Sequence, residues 1–345
     1  MNILILGYMR NMQSGVYFNL SFEELGHRVE YIDIRMLTHE NGIQEGQNVI
    51  LNKLRNSKYE PDMILVLKGL ELTVTTIKEI KLIYKKSNLV FWFPDIYVYN
   101  KLIWEEQHYQ EVVKLADYFF VQIRGVETKM KEKGFNNVYF LPGACYPPSH
   151  EEQQMNNFQR QKYGEDISFC GTIGFLDIHK DRLKYLYKII EEGFNINIWG
   201  SLICEPKKIP LSIRNKMTGE EAINERCAMI YQSSLINLGL DGNPEVDCSW
   251  SVRLFRVLCA GGLYLSTPTK GLEEFFKVNK EGESITPDQD LVVFYNEYDM
   301  VKKIDFLLSH DEIRDSIRKN GQKKVLEKWK FTDMISEMLE VIKNE

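Results

Sequence analysis

The sequence is short of the groups that most often announce a protein's chemistry. Its six cysteines, Cys145, Cys170, Cys204, Cys227, Cys248 and Cys259, contain no C-x-x-C pair. That excludes the common zinc and dithiol motifs and reads as reduced core residues of a cytoplasmic protein. No apolar run reaches the roughly 18 residues of a membrane span. The opening MNILILGYMRN is too short, and lacks the basic flank, for a signal peptide. At most peripheral membrane contact is expected. No G-x-G-x-x-G follows a strand, which argues against a dinucleotide site. No His/Asp/Glu cluster has metal-ligand spacing, so neither a metal nor a cofactor is expected. Positive charge is not in excess either: 43 Lys and Arg against 49 Asp and Glu leave a net charge of −6. That balance argues against a general nucleic-acid binder, a local basic cleft apart.

What is present is a globular composition, 44% hydrophobic and 27% charged over 345 residues, long enough for two cores. Apolar runs alternate with helical patterns throughout. Residues 2–6, 29–32, 63–67, 89–93, 116–121 and 138–141 read as strands. Helices fall between them, for instance over 73–85 with Ile77, Ile80 and Ile83 buried. The polar run EEQQMNNFQR, 151–160, reads as an interdomain linker. The alternation then restarts with strands at 167–170, 196–199, 234–238 and 263–265. Two doubly wound α/β domains follow from this pattern, with a last amphipathic helix over 331–342.

The stretch 235–276 carries the most chemistry. A strand leads through the breakers Gly239, Asp241, Gly242, Asn243 and Pro244 to a helix that Ser249 or Ser251 can cap and Gly261-Gly262 ends. Arg253 and Arg256 fall at the start of that helix, where its dipole disfavours cations. Either an anion sits there, or the arginines answer local acids such as Glu245 and Asp247. Arg253 is read the first way and Arg256 the second. Replacing Arg253 by Ala is then expected to weaken nucleoside-diphosphate binding and leave the fold intact.

Several short motifs resemble the CgeB-like (spore-maturation type) glycosyltransferase family. They are Leu141-Pro142-Gly143-Ala144, Asp166 to Gly171 with Arg182 downstream, and Ser251-Val252-Arg253-Leu254-Phe255 with Cys259-Ala260-Gly261-Gly262. Gly271-Leu272-Glu273-Glu274-Phe275-Phe276 and the tail from Val292 to Gly321 extend the resemblance. It implies the GT-B architecture, two Rossmann-like domains facing across a cleft with the C-terminal helix crossing back to the first. The expected bounds are 1–155 with 331–345 on the acceptor side, and 163–330 binding a nucleotide sugar, UDP foremost. The acceptor would be a hydroxyl on a glycan or surface protein. Arg256 stands where the family usually has a glutamate for the ribose hydroxyls.

Without a metal, a departing diphosphate needs amides and cations. The donor-site candidates are Gly171, Thr172, Gly174, Lys180, Arg182, Ser201, Arg253, Glu273 and Glu274. Asp95, just past the strand 89–93 and without a D-x-D partner, is read as the acceptor base, a hydroxyl-binding group or the N-cap of a following helix. A nucleotide-sugar epimerase or hydrolase, or a non-catalytic nucleotide-sugar-binding subunit, would fit the same pattern.

Overall fold

A computed structural model of the chain describes residues 1–9, 14–98, 101–174, 180–241 and 243–344, apart from the side chains of Lys180 and Asn224. The chain forms two compact units, Met1–Gly143 with Phe331–Glu345, and Ala144–Lys330.

The first unit is built on strands β1 (Asn2–Gly7), β2 (Arg28–Asp33), β3 (Met63–Leu67), β4 (Asn88–Phe93), β5 (Tyr118–Val121) and β6 (Val138–Phe140). They pair in parallel in the order β2-β1-β3-β4-β5-β6. β3 is buried along its whole length and β4 over all but its first residue. An all-apolar strand requires this, since both sheet faces must be covered. The helix Phe331–Asn344 belongs to this unit. The Phe331 ring lies 5.4 Å from Tyr17 and 5.3 Å from Phe18, both on the helix Ser14–Glu24. The Tyr118 hydroxyl donates to the Ile342 carbonyl at 3.3 Å.

The second unit has strands β7 (Ile167–Cys170), β8 (Ile196–Trp199), β9 (Ile236–Gly239), β10 (Tyr264–Ser266) and β11 (Val292–Val293), parallel in the order β8-β7-β9-β10-β11. Each unit thus repeats one winding, in which the strand order reverses between its first and third strands. In such sheets ligands bind beyond the carboxyl ends of the strands at that reversal. Among the described residues no helix is long and apolar enough to cross a membrane.

Two local expectations change. The run 151–160 is not a free linker: Gln153 N–H donates to the Gln232 side chain at 2.6 Å, and Gln232 donates back at 2.7 Å. A capping box at Asn156 and Gln159 then starts the helix Asn157–Tyr163, so this polar stretch is folded onto the second unit. Asp95 caps no helix, because the chain passes into an antiparallel ribbon, Tyr97–Val98 with Lys101–Leu102. Glu273 and Glu274, donor-site candidates from the sequence, lie exposed in a single 3-10 turn, Leu272–Glu274.

Candidate functional site

At the reversal point of the second unit, the helix that follows β9 is Arg253–Cys259, only seven residues long. Its end is formed as its glycines require. Gly261 N–H donates to the Leu258 carbonyl and Gly262 N–H to the Val257 carbonyl, with Gly261 at φ 68°. At its start the Ser251 hydroxyl accepts from Arg253 N–H at 3.2 Å.

Arg253 is answered not by Glu245 or Asp247 but by Asp241, at the end of β9. Arg253 Nη1 lies 3.5 Å from Asp241 Oδ1, and the two side chains are only 10% and 5% exposed. Arg253 Nε donates to the Cys170 carbonyl at 2.7 Å. Asp241 Oδ2 also accepts from Ser251 N–H at 3.1 Å and from the Tyr264 hydroxyl at 3.4 Å. Burial opposes the Arg253 charge, but Tyr264 and Asp241, then Tyr231 and Cys170, hold its pKa above the ordinary value. Two glycines make the room. A Cβ at Gly171 would come within 2.8 Å of Arg253 Nη2, and one at Gly239 within 2.2 Å of the Tyr264 ring.

Arg182 lies on the other side of this knot. It donates to the carbonyls of Thr172 (2.7 Å) and Leu240 (3.0 Å). Its guanidinium is 5.7 Å from the Phe169 ring centroid, which Arg253 also approaches, at 5.3 Å. Burial first, and then the Arg253 charge, lower the Arg182 pKa to about 10. The loop 171–174 is more committed than its glycines suggested. Gly171 N–H donates to the Trp199 carbonyl and Ile173 N–H to the Ser201 carbonyl, extending the pairing of β7 with β8. Gly174 packs against Ile203, where a Cβ would fall 2.3 Å from Cγ1.

Beyond these strand ends opens a recess of about 270 Å³. Gly171, Thr172, Ser201 and Arg253 line it, joined by Glu221 and Arg256. Glu273, Glu274, Gly174 and Arg182 are not among its lining residues, and the side chain of Lys180 lies outside the described residues. Arg256 is the cation whose reading reverses. Among the described residues it enters no ion pair, and its Nε is buried without a hydrogen-bond partner, as is Arg253 Nη1. Asp241 escaped the sequence reading because a lone acid among turn residues looks like a breaker. Its place directly after a buried strand was the available signal.

The first unit has its own recess at its reversal point, about 220 Å³, lined by Tyr8, Ser14, Gly15, Arg35, Lys68 and Trp92 among others. Trp92 Nε1 is buried there without a partner among the described residues. Arg35 lies 5.0 Å over the Tyr8 ring. Lys68 has a left-handed backbone, φ 60°, unusual for a side-chain-bearing residue. Its N–H donates to the Trp92 carbonyl and its carbonyl accepts from the Tyr109 hydroxyl, both at 2.9 Å. So held, Lys68 Nζ meets Asp95 at 2.5 Å, both side chains about half exposed. Among the described residues no three His, Cys, Asp or Glu side chains converge as a metal site.

Residues 182–340 match the family model described as glycosyl transferase-like. No curated protein matches the sequence. Sucrose-phosphate synthase from Thermosynechococcus elongatus is similar in structure with a TM-score of 0.64 at 9% identity, over 100% of this chain and 98% of that one. The catalytic domain of starch synthase IV from Arabidopsis thaliana, bound to ADP and acarbose, gives 0.63 at 9% identity over 97% and 99%. UDP-GlcNAc 2-epimerase from Neisseria meningitidis, bound to UDP-GlcNAc, gives 0.54 at 12% identity over 100% of both chains. The fold is therefore GT-B, two Rossmann-like domains. Because an epimerase shares it, fold alone does not choose the reaction. The glycosyl transferase-like match covers a little under half of the chain, most of it in the second unit, and makes that part similar to glycosyltransferases.

The Asp241 pairing changes what loss of Arg253 should do. Arg253→Ala leaves Asp241 buried and unpaired, which typically costs about 3–5 kcal/mol. Urea unfolding without nucleotide is expected to show a clearly lower midpoint. A wild-type midpoint would mean that the pair contributes nothing to the fold.

Proposed function

We propose that the protein transfers a sugar from a uridine-diphosphate donor to a hydroxyl on a glycan or surface protein, with the donor's diphosphate in the second-unit recess and the acceptor in that of the first. The observation that carries this reading is the pair of guanidinium groups one helical turn apart, Arg253 and Arg256. Each has a buried nitrogen without a hydrogen bond among the described residues, Arg256 Nε and Arg253 Nη1, the latter facing Asp241 as an ion pair only. Such groups are costly until an anion fills their hydrogen-bonding capacity. A diphosphate has oxygens enough for both and takes charge-assisted bonds well.

Chemically, the acceptor oxygen forms a bond to the anomeric carbon as that carbon's bond to the diphosphate oxygen breaks. The negative charge that develops on the diphosphate falls on guanidinium groups fixed beforehand, so little reorganisation is needed as the bond breaks. Asp95 takes the acceptor proton. Lys68 holds that carboxylate oriented at the carboxyl edge of β4. Ser201, Thr172 and Glu221 remain for hydroxyls of the donor.

Three outcomes test this reading. Arg256 gives up no ion pair among the described residues when replaced, so Arg256→Ala should fold normally yet bind UDP about ten- to a hundredfold more weakly by calorimetry. Unchanged affinity would remove the diphosphate from this recess. Since guanidinium groups take the place of a metal here, transfer should proceed undiminished in excess EDTA. Activity lost there and restored by magnesium or manganese would show that a cation carries the diphosphate. Asp95→Asn, a base no longer able to accept a proton, should lower turnover by about 10²–10⁴ with UDP affinity unchanged. Wild-type turnover would leave Asp95 a partner of Lys68 and nothing more.

A further inference from the structure

Two of the six free cysteines stand in the recess itself. Cys170 closes β7, and Cys227 lies early in the helix Asn224–Ser233. Both line the recess while only 6% and 4% exposed. The two thiols interact with each other, and the Tyr231 hydroxyl interacts with both. Arg253 and Arg256 face them from the neighbouring helix, and Glu221 lines the same recess. A pair of inert core cysteines would have no such setting: cations nearby, a phenol in reach of both and a recess alongside.

The two sulfurs are not equivalent. Donation from Cys170 lowers the Cys227 pKa to about 7 against the effect of burial, with Arg256, Tyr231 and Arg253 adding to it. Burial, and then the same donation, raise Cys170 well above the usual thiol range. One sulfur is thus prepared as nucleophile and the other stays protonated beside it, the arrangement of an attacking and a resolving cysteine.

We propose that Cys170 and Cys227 are an oxidisable dithiol in the wall of the nucleotide recess, joined as a disulfide by peroxide and closed to nucleotide in that state. The Cys227 thiolate attacks one oxygen of hydrogen peroxide. An S–O bond forms, the O–O bond breaks, and the departing hydroxide takes a proton to become water. The Cys170 sulfur then displaces hydroxide from the sulfenic sulfur, forming the S–S bond, and its own proton completes the second water. Two thiols are oxidised and one peroxide is reduced. The cross-link ties the end of β7 to the helix Asn224–Ser233. It thereby displaces the Cys170 carbonyl that holds Arg253 Nε at 2.7 Å. The effect on nucleotide rests on the function proposed above; the cross-link does not.

The experiment treats the full chain with hydrogen peroxide, with and without UDP, and maps unreduced peptides by mass spectrometry. The Cys170 and Cys227 peptides should appear joined, more slowly with UDP bound, and at a rate that rises through about pH 7. Cys145 and Cys259, both wholly inaccessible, should stay reduced as an internal control. The oxidised protein should bind UDP about tenfold more weakly or worse, and dithiothreitol should restore it. Cys170→Ser should abolish the cross-link and leave Cys227 trapped by dimedone as a sulfenic acid. Unlinked peptides with Cys204 oxidised instead would overturn the proposal. So would a cross-linked protein that binds UDP as the reduced one does. Reduced protein that fails to bind UDP overturns the functional reading, and the cross-link alone then decides the dithiol.

Discussion

Arg253 is buried where three segments distant in sequence converge: the end of β7, the end of β9 and the start of the helix that follows. A guanidinium cannot be left uncompensated in such a place, since the effective penalty for burying an ion is several kcal/mol. Here it is met by Asp241, by the Cys170 carbonyl and by the face of Phe169. The demands of that one group explain much of the local sequence. Gly171 lacks a side chain because Nη2 needs the space, and Gly239 lacks one because Tyr264 must reach Asp241. Ser251 sits where its amide can meet the same carboxylate. Change the pair, and the floor of the recess loses its reason to hold this shape.

The fold was largely legible because its signals are local. β3 matches its apolar run, residues 63–67, and the helix Arg253–Cys259 stops at the glycines that read as its end. Apolar continuity and positive-φ glycines act within a few residues, so one chain segment is enough to see them. The charges were another matter. The partner of Arg253 is twelve residues away on a different element, and nothing in the order of residues favours Asp241 over Glu245 or Asp247. Arg253 thus has a local acid that was not foreseen, and Arg256, expected to answer a local acid, enters no ion pair among the described residues. The loop 171–174 misled for a similar reason. Its glycines suggested free amides, whereas strand pairing continues through it and takes two of them.

Both units use the same winding, and in each the recess lies where the strand order reverses, yet the two recesses differ in kind. That of the second unit is a floor of buried, interlocked charge. In the first unit the cations are Arg35 and Lys68, and Lys68, about half exposed, is positioned by its own backbone conformation rather than by burial. A buried guanidinium cannot move and keeps its charge, which suits an anion that must be held through bond breaking. A half-exposed Lys–Asp pair in near-aqueous surroundings is worth little in stability, and so can open to a substrate hydroxyl at little cost. The contrast in burial is what the proposed function would require of a binding site and a proton-transfer site.

The count of charge around the second recess argues further than any one contact. Arg182, Arg253 and Arg256 stand against Asp241 at its floor and Glu221 at its wall. Arg182 makes no part of the lining, because its donors are spent on the carbonyls of Thr172 and Leu240, tying β7 to β9. It acts through space instead: the Arg253 charge helps lower its pKa to about 10, so the two cations repel across Phe169. With the donor seated as proposed, a diphosphate would relieve that repulsion as well as fill the hydrogen-bonding capacity that Arg253 and Arg256 leave open. Strand-joining and anion-binding would then be coupled through one aromatic ring. Arg182, chosen from sequence as a phosphate contact, lies outside the lining and would act on such an anion only through Arg253.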